Sequence, residues 1–377
     1  MKNIHFTKEQ YSVEMPHAKN FSVAALFVLI FAFAACSNPA GDNSGDNSPG
    51  VTVYAAGFYD DGNISKACYW SGAGRTDLKF PSIAGNYSTV YCITVVNGIV
   101  YTAGYYDDSG VDKACYWTGT TCTDLSIPAT ATDSEVGGIT VVNGTVYTAG
   151  CYSDSGVGKA CYWVGTACTD LDVPASATYS YAGEITVVNG TVYSAGSYYD
   201  GDAYKACYWT GSACTDLDVP ASVTDSDVDG IIVVNGIVYT AGYYYDGDAY
   251  KACYWTGTTR TDLDVPASAT DSYAIGIAVV NGTVYTAGDY YDLASGIDKA
   301  CYWVGAARTD LSVPAASAGS YASGITVVNG TVYTAGAYYD LASGAIKVCY
   351  WTGTARKDLY TISEDNASID SCFIVVK

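Results

Sequence analysis

The stretch "CITVVNGIVYTAGYYDDSGVDKACYWTGTTCTDL", Cys92 to Leu125, decides the fold, because the chain contains close variants of it seven times. Its Val, Thr, Tyr and Ile residues, interrupted by Asn-Gly and Thr-Gly, are typical of strands and tight turns. Aligning the copies on tryptophan places them 46 to 48 residues apart, at Trp70, Trp117, Trp163, Trp209, Trp255, Trp303 and Trp351. These are all seven tryptophans of the chain, so the repeat has to be interpreted before any domain count.

Each unit is predicted to hold four strands, "ITVV", "TVYTAGYY", "KACYW" and "TxxTDL". Asn-Gly, the strongest short signal for a hairpin, joins the first two strands. It occurs at Asn97-Gly98, Asn143-Gly144, Asn189-Gly190, Asn235-Gly236, Asn281-Gly282 and Asn329-Gly330. Both faces of these strands are apolar, since alternate residues of "KACYW" point to opposite sides. Sheets that must be covered on both faces stack into a propeller or an open solenoid.

The two ends of the chain distinguish these architectures. The first unit begins at "TVYAAG", Thr52 to Gly57, without an "ITVV" strand, and the chain finishes with "CFIVVK", Cys372 to Lys377, which matches "CITVVN". A closed ring explains why the last segment supplies what the first unit lacks. We therefore predict an all-β fold over residues 51–377: a seven-bladed β-propeller of four-stranded antiparallel blades, with the first blade closed by the C-terminal strand.

Charge and histidine content exclude several function classes. The formal net charge is -21, from 17 Lys and Arg against 38 Asp and Glu, so the overall field repels nucleic acid. Both histidines, His5 and His17, precede the propeller in a segment that we predict to be removed. Histidine triads, bases and metal ligands are therefore not expected.

The N-terminal segment indicates export. The run "FSVAALFVLIFAFAAC", Phe21 to Cys36, follows Lys19 and is too short for a comfortable membrane span but suits a signal-peptide core. Its end, Phe33-Ala34-Ala35-Cys36, resembles the bacterial lipobox, with Phe33 where Leu is usual. The resemblance implies a lipoprotein signal peptide over residues 1–35 and a palmitate-type lipid on Cys36, followed by a flexible tether over 36–50. Met15 is an alternative start.

The repeat unit, with "VYTAG" followed by "ACYWTG" and "TDL", resembles propeller repeats of bacterial cell-surface lipoproteins such as those of treponemes. The resemblance covers residues 51–377. It implies a lipid-anchored protein of the bacterial cell envelope, in the outer membrane or at the cell surface, and says little about activity, because propellers carry many unrelated functions. A monomer is expected.

Three units carry a second cysteine seven residues after the first. A two-residue turn at Thr118-Gly119 would place Cys115 opposite Cys122, at roughly 4.5 to 5.5 Å between Cα atoms, within reach of a disulfide. The predicted pairs are Cys115 with Cys122, Cys161 with Cys168, and Cys207 with Cys214. Free cysteines acting as small buried hydrophobic residues are the alternative. In the other four units the partner position is Arg75, Arg260, Arg308 or Arg356.

Ligand binding is predicted on one face of the disc. The Asn-Gly and Thr-Gly turns fall on one rim, whereas the loops between the second and third strands and those between blades fall on the other. That second rim, the loop-rich face, varies most between units, as expected where binding is placed on a rigid scaffold. Tyrosine rings stack on sugars and carboxylates accept sugar hydroxyls. The candidate residues are Tyr106, Asp107, Asp108, Tyr199, Asp200, Asp202, Tyr204, Tyr245, Asp246, Asp248, Tyr250, Tyr291, Asp292, Tyr339 and Asp340. The alternative is that Asp forms turns and Tyr packs between blades.

No cofactor or metal site is predicted. Calcium is a weaker alternative at Asp200-Gly201-Asp202 and Asp246-Gly247-Asp248, which lack the complete EF-hand spacing. The third strands begin with a lysine beside the acidic loops, for which ion pairing is the expected role.

The favoured function is a non-enzymatic, surface-anchored module that binds a glycan or a protein. Catalysis needs asymmetric groups with different pKa values, and nearly every polar residue here recurs in each unit. Glu135, Glu184 and Glu364 break this symmetry, but no supporting acid or base is identified from the sequence. A periplasm-facing scaffold for envelope assembly is the alternative, and a glycan lyase or hydrolase is less favoured.

Overall fold

The structure is a computed structural model that describes residues 50–60, 64–72, 74–81, 87–362 and 367–376. The predicted signal peptide, the lipidation site Cys36 and the tether up to residue 49 lie outside the described residues. Within the described ranges, no helix has the length and apolar character needed to cross a membrane.

In the described residues, twenty-eight strands form seven antiparallel sheets of four. The inner strands are β4 (Ser88–Val96), β8 (Ala131–Val142), β12 (Tyr179–Val188), β16 (Ser226–Val234), β20 (Ala269–Val280), β24 (Ser317–Val328) and β28 (Ser368–Val376). The second strands are β1 (Val51–Asp60), β5 (Ile99–Asp107), β9 (Thr145–Asp154), β13 (Thr191–Tyr199), β17 (Ile237–Tyr245), β21 (Thr283–Asp292) and β25 (Thr331–Asp340). The third strands are β2 (Ser65–Ser71), β6 (Asp112–Thr118), β10 (Val157–Val164), β14 (Tyr204–Thr210), β18 (Tyr250–Thr256), β22 (Ile297–Val304) and β26 (Ala345–Thr352). The outer strands are β3 (Gly74–Asp77), β7 (Thr121–Asp124), β11 (Ala167–Asp170), β15 (Ala213–Asp216), β19 (Thr259–Asp262), β23 (Ala307–Asp310) and β27 (Ala355–Ile362).

The first blade is completed by the end of the chain, in the strand order β28-β1-β2-β3. Val51 pairs with Val376 and Ala55 with Cys372 in an antiparallel ladder. The inner strands of blades 7, 1 and 2 are in contact, as are all the other neighbouring inner strands. The predicted all-β, seven-bladed propeller closed by its own C-terminal strand is confirmed.

The Asn-Gly turns explain the tight first hairpins. Asn97 and Gly98 have φ angles of 52° and 77°, and the other five Asn-Gly pairs have nearly the same values. Positive φ at both central residues matches the twist of the flanking strands, and asparagine and glycine tolerate it best. The sequence signal and the observed turn therefore agree in all six blades that carry it.

Two repeated hydrogen bonds join neighbouring blades at the six junctions from blade 1 to blade 7. Each is seen at the junction of blades 3 and 4: the Ser180 Oγ accepts the Ala160 amide at 2.8 Å, and the Trp209 indole donates to the Asp172 carbonyl at 2.7 Å. The apolar core lies between blades, where Trp209 is fully buried together with Ala149 and Ile185. Inner strands approach so closely that a Cβ at Gly138 would lie 2.7 Å from the Gly183 carbonyl oxygen.

Candidate functional site

The aspartates of the loop-rich face are largely used within their own loops. The Asp200 carboxylate accepts the amides of Asp202 and Ala203 at 3.0 and 2.9 Å, and it forms an ion pair with Lys205 at 2.6 Å. Lys205 and these two amides lower the pKa of Asp200 to about 2. The expected ion pairing of the repeated lysines is confirmed at Lys113–Asp108, Lys159–Asp154, Lys205–Asp200, Lys251–Asp246 and Lys299–Asp292.

Three of the predicted ligand residues are buried. Tyr106 is 1% exposed, because its ring packs in the core beside Trp117 and its hydroxyl donates to Asp124 at 3.1 Å. Tyr106 therefore packs in the core, as the alternative of tyrosines between blades expects, and its role in ligand binding stays a prediction. Asp107 and Asp292 are also buried. Asp107 accepts the Gly110 amide at 2.7 Å, and Asp292 accepts bonds from Ser268, Ser295 and Lys299, which indicates turn formation for both carboxylates.

The remaining candidates lie at the rim. Asp202 and Asp248 are exposed, and Asp340 accepts the Ser343 hydroxyl at 2.6 Å. The hydroxyls of Tyr199 and Tyr245 donate to the carbonyls of Gly201 and Gly247, which fixes both rings over their loops. The half-buried rings of the candidate set are Tyr199, Tyr204, Tyr245, Tyr250, Tyr291 and Tyr339.

The calcium alternative has no support in these loops. The Asp200 and Asp246 carboxylates already accept amide hydrogen bonds from Asp202 and Asp248, respectively. Among the described residues, no group of three or more His, Cys, Asp or Glu side chains is placed to hold a metal ion.

The turn lies one residue later than predicted, which shifts the pairing of the cysteines by two residues. The turn residues are Gly119 and Thr120, so Thr118 pairs with Thr121 and Cys122 lies opposite Trp117. Cys115 therefore pairs with Asp124 and meets Cys122 only diagonally, as a thiol–thiol contact that contributes to raising the Cys115 pKa. The same shift applies to Cys161 with Cys168 and to Cys207 with Cys214, and all six are thiols in this structure. Disulfide formation by these pairs stays a prediction.

The inner strands differ from one another most clearly at their ends on the loop-rich face, which we call their axial ends. Six inner strands share a buried serine, and the residues one, three and four positions after it change from blade to blade. In each of these six strands, a β-bulge falls at the residue three positions after the serine. Bulges re-aim side chains and are common beside active sites. We call Tyr91 and the five acidic residues at these positions, or at the equivalent bulge of β28, the axial cluster: Tyr91, Glu135, Glu184, Asp227, Asp229 and Asp370.

Two carboxyl groups of the axial cluster are half-buried at its outer end. Burial raises the pKa of Glu135 to about 7, although the Cys151 thiol donates to its Oε1 at 3.4 Å and opposes the shift. Burial likewise raises the pKa of Asp370 to about 7, opposed by the Ser368 hydroxyl. Both carboxylates act electrostatically on Tyr91 of blade 2, which lies between their blades. They therefore titrate near neutrality beside a common tyrosine.

Two further carboxylates lie deeper. Glu184 and Asp229 are each 1% exposed, and burial together with the charges of Asp229 and Asp227 raises the pKa of Glu184. Glu184 on blade 4 also raises the pKa of Cys92 on blade 2. Blade 3 separates these two blades, so this interaction reaches across the inner strand of a blade.

Tyrosine rings surround these acids. Tyr181 lies over Gly137 of the neighbouring blade, where a Cβ would come within 2.0 Å of the Tyr181 hydroxyl. On the other side, Tyr243 packs edge-on against Tyr273 at 5.0 Å and against Tyr250 at 5.4 Å. Tyr250, a residue predicted from the sequence, is therefore continuous with rings of the inner strands.

Two grooves on the blade junctions are less distinctive. One, of about 260 Å³, is lined by Lys159, Asp170 and Tyr179 between blades 3 and 4. The other, of about 350 Å³, is lined by the equivalent Lys299 and Asp310 between blades 6 and 7. Since both grooves are built from repeated positions, they are features of the repeat.

Sequence reasoning identified Glu135 and Glu184 as unusual but did not place other acids beside them. Ring closure brings Asp227, Asp229 and Asp370 to the same end of the channel, from blades 5 and 1. The sequence does contain a signal for these positions: when the units are aligned on their shared serine, the residues that follow it differ from unit to unit.

Comparisons with known proteins show the fold. No protein-family model and no curated protein matches the chain. An apocarotenoid oxygenase of Synechocystis matches with a TM-score of 0.50 at 8% identity, over 86% of this chain and 92% of the oxygenase. The β-propeller domain of the Trilobed protease from Pyrococcus furiosus matches with a TM-score of 0.47 at 10% identity, over 85% of this chain and 98% of that domain. An exo-1,5-alpha-L-arabinanase from a bovine ruminal metagenomic library matches with a TM-score of 0.35 at 12% identity, over 63% of this chain and 100% of the arabinanase.

These comparisons correct one expectation. The prediction that the chain is not an enzyme is wrong as it was argued, because an apocarotenoid oxygenase shares its fold. The axial cluster also supplies the unlike carboxyl groups that seemed to be missing from the sequence. At these identities the likeness shows the fold alone and assigns no reaction to this chain.

Proposed function

We propose that this protein binds a glycan on its loop-rich face, with the axial cluster as the centre of the binding site. The observation that carries the proposal is the concentration of blade-to-blade differences at the axial ends of the inner strands, while the residues that join the blades recur. A chain of repeats needs no such divergence for its fold. Buried carboxylates are costly to stability, so their retention favours a functional role.

The side chains suit carbohydrate. Half-buried tyrosines offer ring faces for stacking at the rim, and Glu135, Asp227 and Asp370 place hydroxyl-accepting oxygens at the half-buried outer end of the channel. A glycan chain entering from the loop-rich face would meet the rings first and the acids next.

Attachment to the bacterial envelope is part of the proposal. The predicted lipidated Cys36 and the tether up to residue 50 would hold the propeller near the membrane, as the resemblance to cell-surface lipoproteins implies. In cells fed an alkyne-labelled palmitate analogue, the full chain should acquire the label and Cys36→Ala should lose it. Proteolysis of intact cells then separates surface display from the alternative role as a periplasm-facing scaffold, since protection from protease would contradict surface display.

A glycan array with the full chain tests the binding function. We expect binding that Glu135→Gln and Asp370→Asn weaken at least about tenfold, or about 1.4 kcal/mol. The exposed rim variant Asp202→Asn, which removes the same charge, should retain affinity. Loss of binding in Asp202→Asn but not in the two axial variants would move the site to the rim. Silence across the array, or binding to matrix proteins alone, would contradict the proposal.

Cleavage of the bound glycan is a second candidate, favoured by one observation. With its pKa raised to about 7, Glu135 is partly protonated at neutral pH, as a general acid must be, and Asp370 lies near the same tyrosine. Array-positive glycans should be incubated with the protein and assayed for new reducing or unsaturated ends. Cleavage that Glu135→Gln abolishes supports this candidate, and intact glycans after long incubation exclude it.

A further inference from the structure

The inner strands carry an unbalanced charge. They contain seven acidic residues, Asp133, Glu135, Glu184, Asp227, Asp229, Asp271 and Asp370, and no Lys, Arg or His. The lysines of blades 4 and 5 are held at the rim by Asp200 and Asp246, at 2.6 and 3.7 Å. The described channel wall is therefore anionic and complementary to a cation.

Within that wall, Glu184 is the side chain that most requires a partner. It is 1% exposed, and its Oε2 makes no hydrogen bond to any described residue. Asp229, equally buried, and Asp227, which is half-buried, both act on it electrostatically. Like charges held together out of water are destabilising unless a cation or protons neutralise them.

Aromatic rings flank the same acids. Tyr181 and Tyr243 are 3% and 7% exposed, and both interact electrostatically with Asp227. A desolvated ammonium group is attracted to the faces of such rings as well as to carboxylates. Rings together with spaced carboxylates suit an organic ammonium group, and Asp227 is the half-buried member of this set of acids.

We infer that Glu184, Asp227 and Asp229 bind the ammonium group of a glycan that carries free amines, such as an oligosaccharide of glucosamine. This assignment rests on the proposed glycan-binding function and names its ligand class. The ammonium group would donate to the Glu184 Oε2, and the adjoining sugar ring would lie toward the rim tyrosines.

Isothermal titration of the full chain tests the inference with three oligosaccharides of equal length: glucosamine, N-acetylglucosamine and glucose oligomers. We expect the glucosamine oligomer to bind at least about tenfold more tightly than the other two. The preference should disappear in Glu184→Gln, which keeps the side-chain shape, and persist in the matched variant Asp218→Asn, at an exposed position outside the candidate set. Near-ultraviolet circular dichroism of the buried tryptophans checks that both variants fold.

The outcomes separate the two proposals. Equal affinity for all three oligomers, or an amine preference unchanged in Glu184→Gln, overturns the ammonium site and leaves glycan binding standing. If no oligomer binds but spermidine binds in a Glu184-dependent way, the ammonium site stands and the glycan proposal fails. Calcium binding that depends on Glu184, without any amine binding, would overturn the ammonium site in favour of a metal.

Discussion

The hydroxyl of Tyr360 donates to the main-chain carbonyl of Trp70 at 3.3 Å, which joins the outer strand of blade 7 to the third strand of blade 1 across 290 residues of sequence. Together with the pairing of β28 with β1, this contact shuts the ring. The arrangement of the axial cluster depends on that closure, since Asp370 is contributed by the closing strand.

Removal of β28 should therefore destabilise the whole propeller. The strand buries Ile369, Cys372 and Ile374, so its loss should cost at least about 4 kcal/mol of unfolding free energy, measured by urea denaturation. Tyr360→Phe removes the hydrogen bond to Trp70 without shortening the chain and should cost about 1 kcal/mol. An unchanged midpoint in the truncated protein would show that the ring does not depend on its final strand.

The serine that joins neighbouring blades should contribute measurably at a single junction. In Ser180→Ala, the buried Ala160 amide loses its acceptor and the Gly158 carbonyl loses a donor. We expect a loss of about 1 to 2 kcal/mol in the free energy of unfolding. Ser176→Ala, at an exposed position four residues earlier, is the matched control and should change stability little. Equal effects of the two substitutions would argue against the junction bond.

The fold was predictable from the sequence because its signals are local or lie at the chain ends. Asn97 and Gly98 specify their own turn, and the tryptophan spacing counts the blades. The second turn was misplaced by one residue because Thr118-Gly119 and Gly119-Thr120 are equally acceptable as turn residues. Packing decides between them: in the observed register, Arg260 lies opposite Trp255 and stacks over Tyr244 at 4.6 Å.

The axial cluster was harder to predict because its members lie in different units. Glu135 and Asp370 are separated by most of the chain, and only the closed ring places both near Tyr91. The predicted rim residues follow the opposite pattern. Their aspartates are close in sequence to the amides and lysines that they bind, so the carboxylate oxygens already have hydrogen-bond partners within their own loops.

The diagonal thiols give a prediction about cysteine reactivity. Burial, together with contact with the second thiol, raises the pKa of Cys115, Cys161 and Cys207, so these sulfurs should resist alkylation at neutral pH. Their partners Cys122, Cys168 and Cys214 are half-buried on outer strands and should react first with iodoacetamide. Peptide mass spectrometry of the native protein measures both sets.

If the three predicted cysteine pairs are oxidised, each disulfide should form between the two cysteines of one blade. Non-reducing mass spectrometry of exported protein should then show up to three links, each within one blade. Cys253 is the internal control, because its blade carries Arg260 in place of the second cysteine. Links between blades, or early alkylation of Cys115, would contradict the observed strand register.

The raised pKa of Glu135 makes stability fall as pH rises. Its carboxyl group has an ordinary pKa of 4.5 and a folded-state pKa of about 7, so the folded protein binds more protons than the unfolded chain between these values. The contribution of this group is therefore complete below about pH 4 and is lost as the pH approaches 7. The groups around it are Cys151, Asp112, Tyr91, Tyr105, Tyr179 and Tyr181.

Replacing Glu135 by Gln should remove this slope. The difference in unfolding free energy between the variant and the wild type should be about 2 kcal/mol more favourable to the variant at pH 8 than at pH 4. This figure allows for the half-buried position of Glu135. Urea denaturation at several pH values measures the difference, and Asp202→Asn, exposed on the rim, serves as the control that should show no comparable gain. If Glu135→Gln and the wild type changed in parallel across this range, Glu135 would be charged in the folded protein at neutral pH. It would then be a poor general acid, which removes the support for glycan cleavage while leaving the binding site unaffected.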